Sequence, residues 1–390
     1  MSLAAALFIA AIGLFLLAAH PFVTYPLSLL WMRRSTQAQR AVPVPVAEHA
    51  PHPIDFTICM CAYNEAAIIR EKAENLLQLK AREPGLQILV YVDGASDETA
   101  QLLQSYGPAI ECHVATERRG KTHGMNFLVA RATGSVLVFT DANVMLDADC
   151  LEHLRQDFAA PDVGCVCGNL TYINPGESIT AATGSLYWRL EENIKSLEQD
   201  TGSVMGADGS LFAIRRSLHR PPPDHIIDDM YVSFMVLIEG QRIVQSRRAR
   251  AYELSATSAR DEFGRKARIA CQAFNVHRLL WPKLRKLDAI TQYQYVSHKL
   301  LRWLAIYFLG AALLTFLAAL CMAGMPQLAL ALLLGVALAV ACGNLCAFKP
   351  VLQIQDVLTA LLGAGVGVWH SLSGRRYQTW TPAASIRQVE

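Results

Sequence analysis

Three short runs place carboxylates and amides at the ends of apolar segments: Ala62-Tyr63-Asn64-Glu65, Asp93 followed by Gly94-Ala95-Ser96-Asp97, and Asp141-Ala142-Asn143. Each has an ordinary explanation when taken alone, with Asp97 as a helix cap and Asp93 as a turn residue before glycine. Together they crowd acidic groups, an arrangement that is unfavourable unless a cation or polar ligand compensates it. Farther along, Asp228-Asp229 follows a Pro221-Pro222-Pro223 breaker and opens a predicted helix, where plain N-terminal capping is the alternative role. In Gly206-Ala207-Asp208-Gly209-Ser210 small residues let backbone approach a ligand and Asp208 can bind a hydroxyl, against the plainer reading of a tight glycine turn. Arg265-Lys266-Ala267-Arg268 offers guanidinium groups that clamp phosphate or, alternatively, touch anionic lipid. Lys121, after Gly120, reads on its own as a solvated lysine at a helix start.

The elements that must position these groups alternate. Phe56–Ala62, Gln87–Asp93, Ile110–Ala115, Ser135–Asp141 and Gly164–Tyr172 are short apolar, β-branched runs. Ala66–Lys80, Glu98–Ser105, Thr122–Arg131 and Asp147–Phe158 read as helices between them. Continuous apolar strands with helical crossovers predict an α/β fold, a mostly parallel sheet covered on both faces. Ligands of such sheets sit beyond the carboxyl ends of the strands. The first, second and fourth strands end in the three acidic runs, so one rim of the sheet is expected to carry a site.

Of 390 residues 53% are apolar and only 17% charged, against a usual charged share of about 25%. The deficit collects at the two ends of the chain. Residues 2–19 carry no charge, the apolar character resumes from Pro21 to Met32, and Arg33, Arg34 and Arg40 follow. Roughly twenty apolar residues span a bilayer, and no basic stretch precedes them as in a cleaved signal peptide. The positive-inside rule puts the N-terminus outside and the following segment in the cytoplasm. Leu300–Met322 and Leu328–Phe348 are two further spans. Val351–Leu372 opens with Gln353, Gln355 and Asp356 and is either a third span, which would put Arg375 and Arg376 outside against the positive-inside rule, or a re-entrant or interfacial helix that keeps them cytoplasmic, the arrangement favoured here.

The expected organisation is therefore an N-terminal anchor over 1–32, a proline-containing linker over 33–53 and a cytoplasmic domain over 54–298. Membrane segments follow over 299–372 and a tail over 373–390. A net charge of +2 with no basic face excludes nucleic acid as a partner. The ten cysteines lack any C-x-x-C pair, and they read as small buried hydrophobes in a reducing compartment.

The succession Ala-Tyr-Asn-Glu, Val-Asp-Gly-Ala-Ser-Asp, Gly120-Lys121 and Asp-Ala-Asn, continued by Gly206–Gly209, Ile227-Asp228-Asp229 and the 265–268 run, resembles the family 2 glycosyltransferases of GT-A fold. The likeness covers roughly residues 54–300, and the flanking membrane segments resemble the bacterial polysaccharide-synthase branch. The resemblance implies a nucleotide-sugar donor, a UDP-sugar, bound by Ala62, Tyr63, Asn64, Glu65, Asp93, Lys121 and Asp141. It implies Mg2+ or Mn2+ at Asp141 with Asn143, a neutral oxygen ligand standing where the family has a second aspartate. It implies a general base at Asp229 with Asp228 as its orienting neighbour, and an acceptor site lined by Gly206 and Asp208. The family's Gln-x-x-Arg-Trp motif is here Arg265-Lys266-Ala267-Arg268-Ile269. Arg268 keeps the arginine and Arg265 replaces the glutamine in holding the diphosphate, while Ile269 removes an aromatic platform.

The function expected on this basis is inverting transfer of a sugar to a glycan or lipid-linked acceptor in polysaccharide or cell-envelope biosynthesis, at the bacterial inner membrane. A processive synthase is the alternative within enzymes, and it would need a channel supplied by export or synthase partner proteins. A catalytically silent glycan- or nucleotide-binding membrane component is the alternative outside them.

Overall fold

The computed structural model describes residues 1–39, 54–174, 176, 178–254 and 258–379. Two helices lead the chain, α1 (Leu3–Ala19) and α2 (Thr24–Gln39). The sheet region then runs β1 (Phe56–Ala62), α3 (Ile69–Arg82), β2 (Gln87–Asp93), α4 (Thr99–Gln104), β3 (Glu111–Ala115), α5 (Lys121–Val129) and β4 (Val136–Asp141). It continues through β5 (Met145–Leu146), α6 (Cys150–Asp157), β6 (Val163–Tyr172), α7 (Ile179–Thr201), β7 (Leu211–Arg215), α8 (Asp228–Ile238) and β8 (Arg242–Glu253). Helices α9 (Ala259–Leu284), α10 (Ala289–Tyr295), α11 (Leu301–Met322), α12 (Pro326–Leu345) and α13 (Lys349–Leu372) close the chain.

The eight strands lie in the order β3-β2-β1-β4-β7-β6-β8-β5. β1 to β4 pair in parallel, as the apolar runs predicted, whereas β7 lies antiparallel between β4 and β6. Period-two alternation along each strand sorts the core onto two faces. Phe56, Ile58 and Met60 of β1 face Ile69, Ala73 and Leu76 of α3, which recur at helical spacing. Cys59, Leu89 and Phe139 face the other way, toward Met125 and Leu128 of α5 and Phe234 of α8. All ten cysteines are free. Cys59, Cys150, Cys165, Cys167 and Cys271 are buried, but Cys321, Cys342 and Cys346 stand exposed on or beside α11 and α12.

The apolar ends form helices with a different arrangement from one straight anchor. The chain bends by 63° between α1 and α2. α1 packs along α11, with Phe8 against Phe316 at 5.7 Å, and just beyond the two helices His20 Nε2 lies 3.0 Å from Ser297 Oγ. α2 instead lies on α7: Tyr25 donates to Glu198 at 2.6 Å, and Arg33 pairs with Asp200 at 3.0 Å. α2 also continues through Gln39, past the expected start of the linker at 33, and residues 40–53 of that linker lie outside the described residues. Ala289–Met322, Pro326–Leu345 and Lys349–Leu372 are each long and apolar enough to cross a membrane, by length and composition.

α13 lies against α9, and small residues set the distance between them. A Cβ at position 367 would fall 2.4 Å from the Ala267 carbonyl oxygen and 2.8 Å from the Cys271 amide nitrogen. Backbone atoms cannot swing aside, so even one methyl forces the helices apart. Gly367→Ala should therefore lower the thermal unfolding midpoint of the detergent-solubilised protein by several degrees. Gly335→Ala on α12, whose Cβ would meet nothing within 4 Å, should leave it unchanged.

Candidate active site

The parallel register brings the acidic runs together. Cys61 of β1 pairs with Asp141 of β4, and Ala62 pairs with Val92, next to Asp93, on the opposite side. The loop after β1 and the ends of β2 and β4 therefore emerge on one rim. Above it lies a cavity of about 1080 Å³. Of the sequence-predicted site residues, Ala62, Tyr63, Glu65, Asp93, Lys121, Asp141, Asn143, Gly206, Asp208, Asp228, Asp229, Arg265 and Arg268 all line it. Asn64 does not line it. It takes a positive φ of 52°, accepts from the Ser96 amide at 2.8 Å and thereby ties the β1 loop to the β2 loop.

Asp93 is buried and spends both carboxylate oxygens on backbone. Oδ1 accepts from the Arg119 amide at 2.7 Å and Oδ2 from the Gly120 amide at 3.0 Å. It thus holds the turn that starts α5 and aims Lys121 at β4. Asp97 accepts from the Ala66 amide at 3.0 Å and the Thr99 amide at 3.0 Å, the capping role open to it from sequence. Arg118 stacks over the Tyr63 ring at 3.5 Å, so a cation covers the aromatic residue of the β1 loop.

Lys121 Nζ lies 2.7 Å from Asp141 Oδ1. Burial works against the ammonium, but Asp141, Asp228 and Asp229 outweigh it and hold its pKa above the ordinary lysine value. Asp228 and Asp229 begin α8 as expected, and the second faces the same point. A Cβ on Gly209 would stand 3.0 Å from Lys121 Nζ, 3.1 Å from Asp229 Oδ2 and 3.8 Å from Asp141 Oδ2. Burial first, then the charge of Asp228, push the Asp229 carboxyl up to about 7 against the pull of Lys121. Asp228 is buried, and among the described residues its Oδ2 has no hydrogen-bond partner.

On the far wall Asp208 is already engaged, by Lys195 Nζ at 2.8 Å and by the Ser210 hydroxyl. Arg265 pairs with Glu262 at 3.6 Å, and Arg268 donates to Gln272 at 3.1 Å. Burial and the neighbouring Arg265 press Arg268 down to about 10. Both arginines come from α9, whose opposite side packs on α13.

Sequence reasoning missed three contributors. Glu253, at the end of β8, accepts from Asn143 Nδ2 at 2.9 Å; burial pushes it up to about 7, with Arg265 opposing and Asp141 adding. Lys195 of α7 sits buried over Trp188 at 4.8 Å. Tyr377, Gln378 and Thr379 of the tail return to the cavity, where Gln378 donates to the Arg119 carbonyl at 3.0 Å. β8 carries Arg247, Arg248 and Arg250, which hid its strand character, and no local signal marks the other two.

The donor set suits a hard divalent cation. Asp141 offers a carboxylate and Asn143 an amide oxygen, and the Lys121 ammonium already occupies a position where positive charge is favoured. Among the described residues no three His, Cys, Asp or Glu side chains converge into a cage, so phosphate oxygens of a ligand would complete the shell.

Comparison with known proteins bears on the central part of the chain. Residues 57–220 match the model described as Glycosyl transferase family 2. The resemblance carried by the motifs is borne out, and the matched stretch holds the acidic ends of β1, β2 and β4, whereas Asp228, Asp229, Glu253 and the 265–268 run lie beyond it. Poly-beta-1,6-N-acetyl-D-glucosamine synthase of Staphylococcus aureus is 26% identical over 195 residues, 48% of this chain and 47% of the relative. The protein of the same name from Staphylococcus epidermidis is 22% identical over 206 residues, 51% of this chain and 50% of the relative. This chain thus spans about half the length of the curated relatives it matches. A mannosyltransferase from Pyrobaculum calidifontis, solved in complex with GDP-Man and Mn2+, superposes with a TM-score of 0.70 at 22% identity. The match covers 95% of this chain and 99% of that one, and it confirms the GT-A fold.

The Asp93 clamp gives a direct test of how the rim is held. Asp93→Asn turns one acceptor into an NH2 group that faces a backbone N–H. Hydrogen bonds to a charged acceptor are worth about 1.5–3 kcal/mol. Amide exchange at Arg119 and Gly120 should accelerate by about tenfold or more, since 1.4 kcal/mol is a factor of ten. Exchange in β1 should not change, and unaltered exchange at both amides would contradict the clamp.

Proposed function

We propose that this chain is a membrane-bound inverting glycosyltransferase that moves a sugar from a nucleotide-sugar donor, a UDP-sugar, to a glycan or lipid-linked acceptor in polysaccharide or cell-envelope biosynthesis. The observation that carries this reading is the convergence of Lys121, Asp141 and Asp229 around Gly209. It sets a carboxyl of pKa about 7 across from the residues suited to a donor diphosphate.

In this reading the β1 loop and Asp93 hold the nucleoside, and Arg265 and Arg268 clamp the diphosphate. Asp141 and Asn143 would hold Mg2+ or Mn2+, which when bound neutralises charge growing on the leaving diphosphate. Asp229 takes the proton of the acceptor hydroxyl as that oxygen bonds to the anomeric carbon. The bond from that carbon to the diphosphate oxygen breaks, its electron pair departs with the nucleoside diphosphate, and the anomeric configuration inverts. Asp228 orients Asp229, while Gly206 and Asp208 line the acceptor side. The names of the curated relatives favour a polysaccharide product, so processive synthesis remains the second reading; product length from a single binding event separates the two.

The acceptor would approach from the membrane side. The cavity extends from the rim to Phe22, Tyr187 of α7, Trp303 of α11 and Ala360 and Ala364 of α13. Chain geometry keeps the tail on the same side as the catalytic domain, and Arg33 and Arg34 after the first apolar segment favour the cytoplasm for that side. α11 leaves the domain, α12 returns, and the residues after α13 again touch the domain, where Tyr377 accepts from Gln272 at 2.7 Å. A chain that returns to its starting side after α11 and α12 leaves α13 no net crossing, which suits an interfacial or re-entrant helix.

Three tests follow from this reading. Asp229→Asn should reduce transfer by about 10² to 10⁴, the usual worth of general-base catalysis, with donor binding little changed. Asp141→Ala should abolish transfer through loss of donor and metal binding, and Asp228→Asn should cost less than Asp229→Asn. In the parent, kcat/KM should climb with pH through about 7, because the protonated Asp229 carboxyl below that pH cannot accept a proton. Parental transfer rates in Asp229→Asn would remove it from the role. For topology, Arg70→Cys and Arg376→Cys, each with Cys321, Cys342 and Cys346 replaced by serine, should both escape an impermeant maleimide in intact cells. Labelling of Arg376→Cys alone would show that α13 crosses.

A further inference from the structure

Asn143 stands where the resembling family has a second aspartate, so the rim lacks one negative charge beside Asp141. An amide is also ambiguous as a ligand, because its oxygen and nitrogen are nearly equal in size and opposite in polarity. The fold answers both problems from a distant strand. β8 pairs with β6 up to Glu253 opposite Tyr172, which carries the Glu253 carboxylate to the same rim, 110 residues along the chain from Asn143. There Glu253 Oε1 accepts from Asn143 Nδ2 at 2.9 Å, and the Glu253 side chain is buried and lines the same cavity. The reverse amide orientation would set Oδ1 against a carboxylate oxygen, acceptor against acceptor, so it is disfavoured. With Nδ2 committed to Glu253, Oδ1 is the atom left for a cation.

The structure assigns Glu253 as a positioning residue for the divalent cation: it orients the Asn143 amide oxygen and supplies, one hydrogen bond away, the negative charge that asparagine lacks. This rests on the metal reading proposed above. Glu253 acts on the cation through Asn143. It acts as outer-shell carboxylates do behind directly bound ligands, where their loss typically weakens metal binding by about 10- to 100-fold. Asn143 alone leaves the rim one charge short of two aspartates, whereas Asn143 with ionised Glu253 carries the same total charge as a single aspartate.

The test reads metal binding without turnover. Mn2+ is titrated into the purified full chain in detergent, with UDP and separately with GDP, and free Mn2+ is followed by electron paramagnetic resonance. Glu253→Gln keeps the shape but loses the charge, and it should bind Mn2+ about 10- to 100-fold more weakly than the parent. The double variant Asn143→Asp with Glu253→Gln moves the charge onto position 143 and lets glutamine donate to it. It should recover to within a few-fold of the parent. Glu253→Gln binding like the parent, or a double variant as weak as Glu253→Gln, overturns the inference while the metal reading stands. A parent that binds no Mn2+ with either nucleotide overturns the metal reading, and this inference with it.

Discussion

The Lys121 ammonium, 2.7 Å from Asp141 and within the field of Asp228 and Asp229, offsets carboxylates that stand on different elements. Like charges brought to one rim repel, and the low dielectric of a buried site magnifies that repulsion. The rim can exist because one cation is delivered to its centre, and the delivery is itself built from a carboxylate. Asp93 pins the Arg119 and Gly120 amides, which starts α5 at the point where Lys121 reaches β4. Gly209 then leaves the space in which Lys121, Asp141 and Asp229 meet. The Asp229 carboxyl is raised first by burial and then by the charge of Asp228, and Lys121 offsets the two only in part.

A second set of buried polar and charged side chains joins the catalytic domain to the apolar helices. His298 lies between Glu198 at 2.6 Å and Glu191 at 3.0 Å, and Arg302 pairs with Glu191 as well. Tyr25 of α2 adds a donor to Glu198. Breaking a buried pair by removing one partner leaves an uncompensated charge, so such clusters hold their elements in one arrangement. Here the elements are α2, α7 and the start of α11. Glu191 and Arg302 also line the cavity, so the cluster that fixes the helices to the domain forms part of the wall on the membrane side. α9 does the same on the other flank, presenting Arg265 and Arg268 to the cavity while Gly363 and Gly367 of α13 settle on its opposite side.

The chain by itself determined the parallel half of the sheet, because β1, β2 and β4 are buried on both faces and such strands must be apolar throughout. Those strands match the apolar runs to within a residue, and their acidic ends follow from the same reading. It also determined which residue types face the cavity, since nearly every residue named from the motifs lines it. The antiparallel insertion of β7 and the charge-rich β8 were not legible. β7 is a short apolar run whose antiparallel seat depends on neighbours far along the chain, and β8 departs from alternation where Arg247 and Arg248 are exposed. Only the tertiary structure decided the partners. Lys195 with Asp208, Glu253 with Asn143 and Gln378 with Arg119 are separated by 13, 110 and 259 residues. Local sequence states which groups a strand end or helix start carries. Which charge neutralises which depends on the register of β8 against β6 and on the path of the tail back over α9, and both are settled by packing across the whole molecule.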